Sequence, residues 1–157
     1  MSKLAQFFKG SDSHFGIFDP NNHIIAIYPD YHAAERAEHL LHSSGVPPDE
    51  AISVPGDDVV QFAEEQILKH GLWGVLMKKL SSFFATEEVY AERDLDMARH
   101  GAGFVAAHCP TQPSKRAVWK LLEGTGPMVA RYYSAGGVEH LVGESEHSVA
   151  QQARESL

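Results

Sequence analysis

Apolar residues in this chain come in short blocks with two different spacings, and the spacing decides what each block becomes. His14-Phe-Gly-Ile-Phe-Asp19 and His23-Ile-Ile-Ala-Ile-Tyr-Pro29 are β-rich runs flanking the turn-forming Pro20-Asn21-Asn22, which predicts a hairpin. Asp30 then stands where an N-cap is wanted. Ala34, Ala37 and Leu41 make a buried stripe on a helix over Ala33 to Leu41, ended by Gly45. A short strand follows at Ala51 to Val54, after the turn Val46 to Glu50. Asp57 or Asp58 is placed to cap the next helix, whose apolar positions are Val60, Ala63, Ile67 and Leu68. Past Gly71, the residues Leu72, Trp73, Leu76, Met77, Leu80, Phe83 and Phe84 gather on one broad helical face opposite Lys78, Lys79 and Ser82. Thr86 opens a further helix that runs through Tyr90 and Met97 to about Gly101.

The second half repeats the alternation of types. Ala102 to Cys109 reads as a strand, and Pro110 and Thr111 introduce a helix through Val118, Trp119, Leu121 and Leu122, which Gly124 and Gly126 terminate. Met128 to Ser134 and Val138 to Val142 then form a second predicted hairpin around Ala135-Gly136-Gly137. Two split βαβ units in one chain predict an α+β, ferredoxin-like sandwich in which helices cover one face of an antiparallel sheet. The expected organisation is a flexible segment 1–13, one domain over 14–143 with a helical insert at about 57–101, and a polar tail 144–157. Strand parity puts Phe104, Ala106 and His108 on one side of the sheet together with Val129, Arg131 and Tyr133, while Met128, Ala130 and Tyr132 face the helices. That mixed face is too apolar to stand in water, so the insert, a second subunit or a ligand has to cover it.

The 157 residues suit one compact domain with its own core. The formal charge of −8, with 21 acidic and 13 basic residues, repels phosphate backbones and anionic headgroups, and argues against nucleic acid as a partner. No apolar run reaches the roughly 20 residues that cross a bilayer, and the apolar part of Met1 to Gly10 is too short for a signal peptide. Cys109 is the only cysteine, which excludes an internal disulfide and any multi-thiolate motif and fits a reducing compartment, read as the cytoplasm.

Candidate chemistry is sparse. HExxH, Walker and nucleophile-elbow patterns are all missing from the sequence, and the carboxylate pairs Glu64-Glu65 and Glu87-Glu88 diverge around their helices. The ten histidines stand out. His39 and His42 lie on neighbouring turns of one helix, with His32 two turns earlier, and could hold a divalent metal if Glu35 or Glu38 joined them; the competing reading is a solvated helix face. His108 and Cys109 point to opposite sides of a strand and cannot act as a direct nucleophile–base pair. The polar set on the sheet face, His108, Arg131 and Tyr133, is the candidate small-molecule site. The bulky Leu72, Trp73, Leu76 and Phe83 are candidates for self-association, against packing on the rest of the domain.

Several of these segments together resemble the bacterial general stress protein M family and its relatives among heat-induced stress proteins. The matching parts are the strand Ile24-Ile-Ala-Ile-Tyr28, the helix Ala33-Ala-Glu-Arg-Ala-Glu-His-Leu-Leu41, Gly45, Ile52-Ser-Val54, Gly71-Leu-Trp-Gly74, Tyr90, Arg99-His-Gly101, the strand Phe104 to Ala107, Gly124 and Val129. The chain departs from the family pattern in an insert shorter on glycine, which carries the bulky Trp73, Met77 and Phe83 instead, in a preceding strand, and in its histidines. The resemblance implies a noncatalytic, stress-associated domain without a cofactor. The expected function is a stress-response or regulatory binding domain acting as a homodimer or through a protein partner, and the alternative is a small-molecule or metal-binding sensor using the sheet face.

Overall fold

Local capping chemistry sets the first crossover. The Asp30 side chain accepts a 2.8 Å hydrogen bond from the Ala33 amide, the backbone at Asp30 is extended, and helix begins one residue later. The computed structural model describes residues 3–8, 21–65, 93–134 and 137–142. In chain order these form α1 (Lys3–Phe8), β1 (His23–Tyr28), α2 (Tyr31–Ser43), β2 (Ala51–Pro55), α3 (56–65), α4 (93–99), β3 (Gly103–His108), α5 (Gln112–Glu123), β4 (Val129–Ser134) and β5 (Gly137–Val142). α5 starts on a reciprocal cap, in which the Thr111 hydroxyl accepts from the Ser114 amide and the Ser114 hydroxyl accepts from the Thr111 amide.

The five described strands pair in the order β2-β3-β1-β4-β5, every neighbouring pair antiparallel. The fold is therefore α+β with an open antiparallel sheet. α2 joins β1 to β2 and α5 joins β3 to β4. Both helices lie on one face, where Ala34, Ala37, Leu41, Val118 and Leu122 pack on Ile24, Ala26, Tyr28, Val105, Ala107, Cys109, Ala130 and Tyr132. Alternation sends Ile27, Ile52, Val54, Phe104 and Ala106 to the other face, where they meet Leu4, Phe62, Ala98 and Ala102. That second face is thus covered by α1, α3 and α4, and the insert is one of the layers that bury it. Burying a side chain such as Ile24 or Ile27 contributes roughly 1.5–3 kcal/mol, so either face alone makes a substantial core.

Four expectations change. β1 pairs with β3 on one side and β4 on the other, which leaves no edge for the predicted hairpin with 14–19; those residues themselves lie outside the described ones. Within 1–13, read as flexible, Lys3–Phe8 is helical because Leu4 has an apolar surface to bury against. α3 begins at Gly56, so Asp57 and Asp58 sit in its first turn rather than at its cap, and the residue it buries is Phe62. Ile67 and Leu68 fall outside the described residues. Met128, expected to face the helices, is 42% exposed because it precedes the strand.

β2 lies at an edge of the sheet, and its exposed backbone is closed by side chains. The Ser53 amide donates to the Glu38 carboxylate of α2, and the Ser53 carbonyl accepts a 3.0 Å hydrogen bond from Lys3 Nζ of α1. Lys3 and Glu38 are themselves 4.0 Å apart. Both outward groups of Ser53 are thereby occupied, a common way of keeping an edge strand from pairing with another chain.

Candidate functional site

Strand register brings the polar residues of the second face into one cross-strand row. His23 of β1 is opposite His108 of β3 and Tyr133 of β4, and Tyr133 is opposite Val138 of β5. Glu50 extends the row, because the His108 amide donates to the Glu50 carbonyl at 2.7 Å, just before β2 begins.

The His108 ring is held by the same residue. His108 Nδ1 and Glu50 Oε2 are 2.6 Å apart, and a carboxylate there accepts, so Nδ1 carries a hydrogen and Nε2 is the ring's other polar atom. Nε2 of His108 has no hydrogen-bond partner among the described residues. The His108 and Glu50 side chains are 34% and 37% exposed. Behind them lies His23, buried, with Nδ1 2.8 Å from the Asn21 carbonyl and its ring centroid 4.9 Å from that of His108. Phe7 of α1 meets His23 edge-on at 5.6 Å. The result is a half-open corner in which the His108 imidazole is held by Glu50 and neighbours the buried His23 ring.

Arg131 belongs to the same face but does different work. Its guanidinium is buried and donates to the Asp94 carboxylate of α4, which ties the insert to the sheet; the Tyr133 ring centroid is 6.0 Å away. Burial pushes the Asp94 carboxyl above its ordinary range, and the Arg131 charge offsets part of that. The sequence-picked His108, Arg131 and Tyr133 therefore share a face. Of the three, Arg131 is committed to an internal ion pair, while His108 is reachable.

The helical histidines are not brought together in the same way. His32 and His39 are exposed on α2. His42 has Nδ1 3.0 Å from the Val46 carbonyl and Nε2 3.9 Å from Glu38. Among the described residues, no group of three or more His, Cys, Asp or Glu side chains could hold a metal ion. Leu72, Trp73, Leu76 and Phe83 lie outside the described residues. No helix among the described residues is long and apolar enough to cross a membrane.

Sequence reasoning missed His23, Glu50 and Asp94. His23 had a usable signal, since it alternates with Ile25 and Ile27 and so shares their face. Glu50 and Asp94 reach their partners from 58 and 37 residues away, with no local pattern to mark them.

Cys109 points to the opposite face, fully buried beside α5, and its Sγ is 3.6 Å from the Ala107 carbonyl. Burial pushes its thiol from an ordinary value of 9.0 up to about 12. Because the folded value lies above the unfolded one, the thiol's contribution to stability is full below pH 9 and is lost as pH rises toward 12. Unfolding free energy should fall in that window by roughly 1.4 kcal/mol per pH unit. Urea titrations at increasing pH check this against Cys109→Ala, which should lack that component. A thiol reagent that labels native and denatured chains at the same rate would show the assignment to be wrong.

No family model matches the chain, and no curated protein or solved structure matches it.

Proposed function

We propose that this chain is a noncatalytic binding domain of ferredoxin-like topology that acts as a small-molecule sensor, recognising its ligand at the Glu50–His108 corner. The order β2-β3-β1-β4, with α2 and α5 as crossovers on one face, supports the ferredoxin-like reading, and β5 adds one strand at the edge. Kinship with the general stress protein M family rests on the residues quoted above and fits a regulatory role. The single buried thiol suits a reducing setting, here the bacterial cytoplasm.

One observation carries the proposal. The imidazole of His108 is oriented by a carboxylate, its other nitrogen has no partner among the described residues, and it is accessible on a face otherwise covered by helices. Fixed polar groups at the margin of an apolar surface are how binding sites orient small ligands. Cys109 lies across the sheet from that histidine, with its thiol held protonated. The other role, self-association through Leu72, Trp73, Leu76 and Phe83, falls on residues outside the described ones.

Native mass spectrometry of the protein purified without added ligand tests the reading. The expected spectrum shows a retained small mass in the parent chain and none in His108→Ala. A parent chain that carries no small mass, as monomer or dimer, overturns it.

A further inference from the structure

We propose that α1 is a detachable guard on the β2 edge of the sheet, and that its release lets a second copy of this chain pair with that edge, antiparallel and two-fold, with Ser53 opposite Ser53.

The edge itself sets the register. Ser53 lies opposite Val105 of β3, and the His108 amide donates to the Glu50 carbonyl, so Glu50, Ile52 and Val54 turn their backbone groups toward β3 while Ala51, Ser53 and Pro55 turn theirs outward. Pro55 has no amide to give, and of the two residues that offer both a donor and an acceptor Ser53 is the central one. Its groups are taken from within the chain, the amide by Glu38 of α2 and the carbonyl by Lys3 of α1 at 3.0 Å. A strand laid along β2 therefore has to displace Lys3, and α1 with it.

α1 is suited to leaving as a unit. Six residues are too few for a helix that stands alone in water, so α1 is helical because it is docked. Its anchors are side chains: Lys3, 51% exposed and 4.0 Å from Glu38; Leu4, buried in the second-face core; and Phe7, edge-on to His23 at 5.6 Å. The strands beneath are held by ladders and by both cores, which puts α1 at the low end of local stability in this fold.

What the departing helix uncovers decides the partner. Leu4 shares its cluster with Ile52 and Val54 of β2 and Phe62 of α3. Release thus frees, side by side, the backbone carbonyl of Ser53 and an apolar strip of the same strand. In a two-fold pairing each copy presents both to the other: Ser53 exchanges a pair of hydrogen bonds with its counterpart, and the strips become continuous on one face of the joined sheet. A polar peptide would satisfy the edge and leave the strip in water. Glu38 gives up the Ser53 amide in the exchange but keeps His42, 3.9 Å from its other oxygen.

The test uses the full chain carrying Lys3→Glu and Leu4→Asp together. The first sets a carboxylate against Glu38 and the second sets one in the apolar cluster, so α1 cannot stay docked. Light scattering at matched concentration should give twice the parent's mass. Adding Ser53→Pro removes the outward amide without touching the β2–β3 ladder and should return the mass to the parent's. Adding Ser53→Cys instead should give a disulfide-linked dimer on mild oxidation, since residues that exchange both hydrogen bonds have Cα atoms about 5.5 Å apart. Ser53→Cys alone, with α1 docked, should stay unlinked. A double variant with native circular dichroism and the parent's mass overturns the inference. So does one that loses its native circular dichroism, because α1 would then belong to the framework of the fold. A doubled mass that survives Ser53→Pro, or that forms no disulfide with Ser53→Cys, removes the Ser53 edge as the interface.

Discussion

Arg131→Met should lower stability by about 3–5 kcal/mol, the largest loss expected from any single side chain on the second face. The guanidinium is 2% exposed and the Asp94 side chain 17%, so neither charge can turn to water when its partner is removed. Met roughly fills the space of the aliphatic part, and the loss comes from a carboxylate left in a desolvated position under α4. Burial already holds the Asp94 carboxyl above its ordinary 3.8, and Arg131 is what restrains the rise. A carboxyl raised in the folded state contributes stability that is full below its unfolded value and lost as pH climbs through its folded one. Without Arg131 the folded value moves further up, so the variant should be hurt more at about pH 7 than at about pH 4. Urea unfolding at the two pH values measures this directly. The double variant Arg131→Met/Asp94→Leu should recover most of the loss, since a buried pair replaced by apolar groups is often neutral. A single variant no less stable than the double one would remove the ion pair from the account of how the insert is anchored.

Gly103→Ala should cost about 3 kcal/mol and lower Tm by roughly 10 °C, although it adds one methyl group. A Cβ at this position would lie 2.5 Å from the Asp30 carbonyl oxygen, 2.7 Å from Tyr31 Cα and 2.8 Å from Ala34 Cβ. Two of these are backbone atoms of the capped first turn of α2, which cannot swing aside as a long side chain would. The helix start would have to lift off β3 and loosen Ala34 and Ala37 from the core. Gly45→Ala is the useful comparison: its backbone has φ +105° but open space around it, so only conformational strain of about 1 kcal/mol is at stake. Thermal unfolding should rank the two substitutions in that order, and equal losses would mean that α2 and β3 do not need their close approach.

The parts of this fold that were legible in the sequence are those that local chemistry decides. Asp30 and Thr111 mark helix starts by capping, and the runs Ile24 to Tyr28 and Phe104 to Ala107 are apolar enough to read as interior strands. The hairpin expected before β1 fails for the opposite reason. The turn residues Pro20 to Asn22 are real turn formers, and Asn22 does take φ +64°, but β3 and β4 arrive from far along the chain and claim both sides of β1. Lys115 shows the same limit. It is buried against Glu139 of β5 and over the Tyr132 ring at 4.7 Å, partners that only the folded sheet brings near. At the candidate site, parity placed His108, Arg131 and Tyr133 on one face, while the carboxylates that give the first two their separate roles were invisible until the chain closed.

The clasp of Lys3 and Glu38 over Ser53 sets a limit on how copies of this protein can assemble. Growth of a sheet into a fibre needs two free rims on every molecule, one to receive a strand and one to offer it. With both outward groups of Ser53 taken by side chains of α1 and α2, the middle of the β2 rim has no free donor and acceptor to offer a strand of another copy.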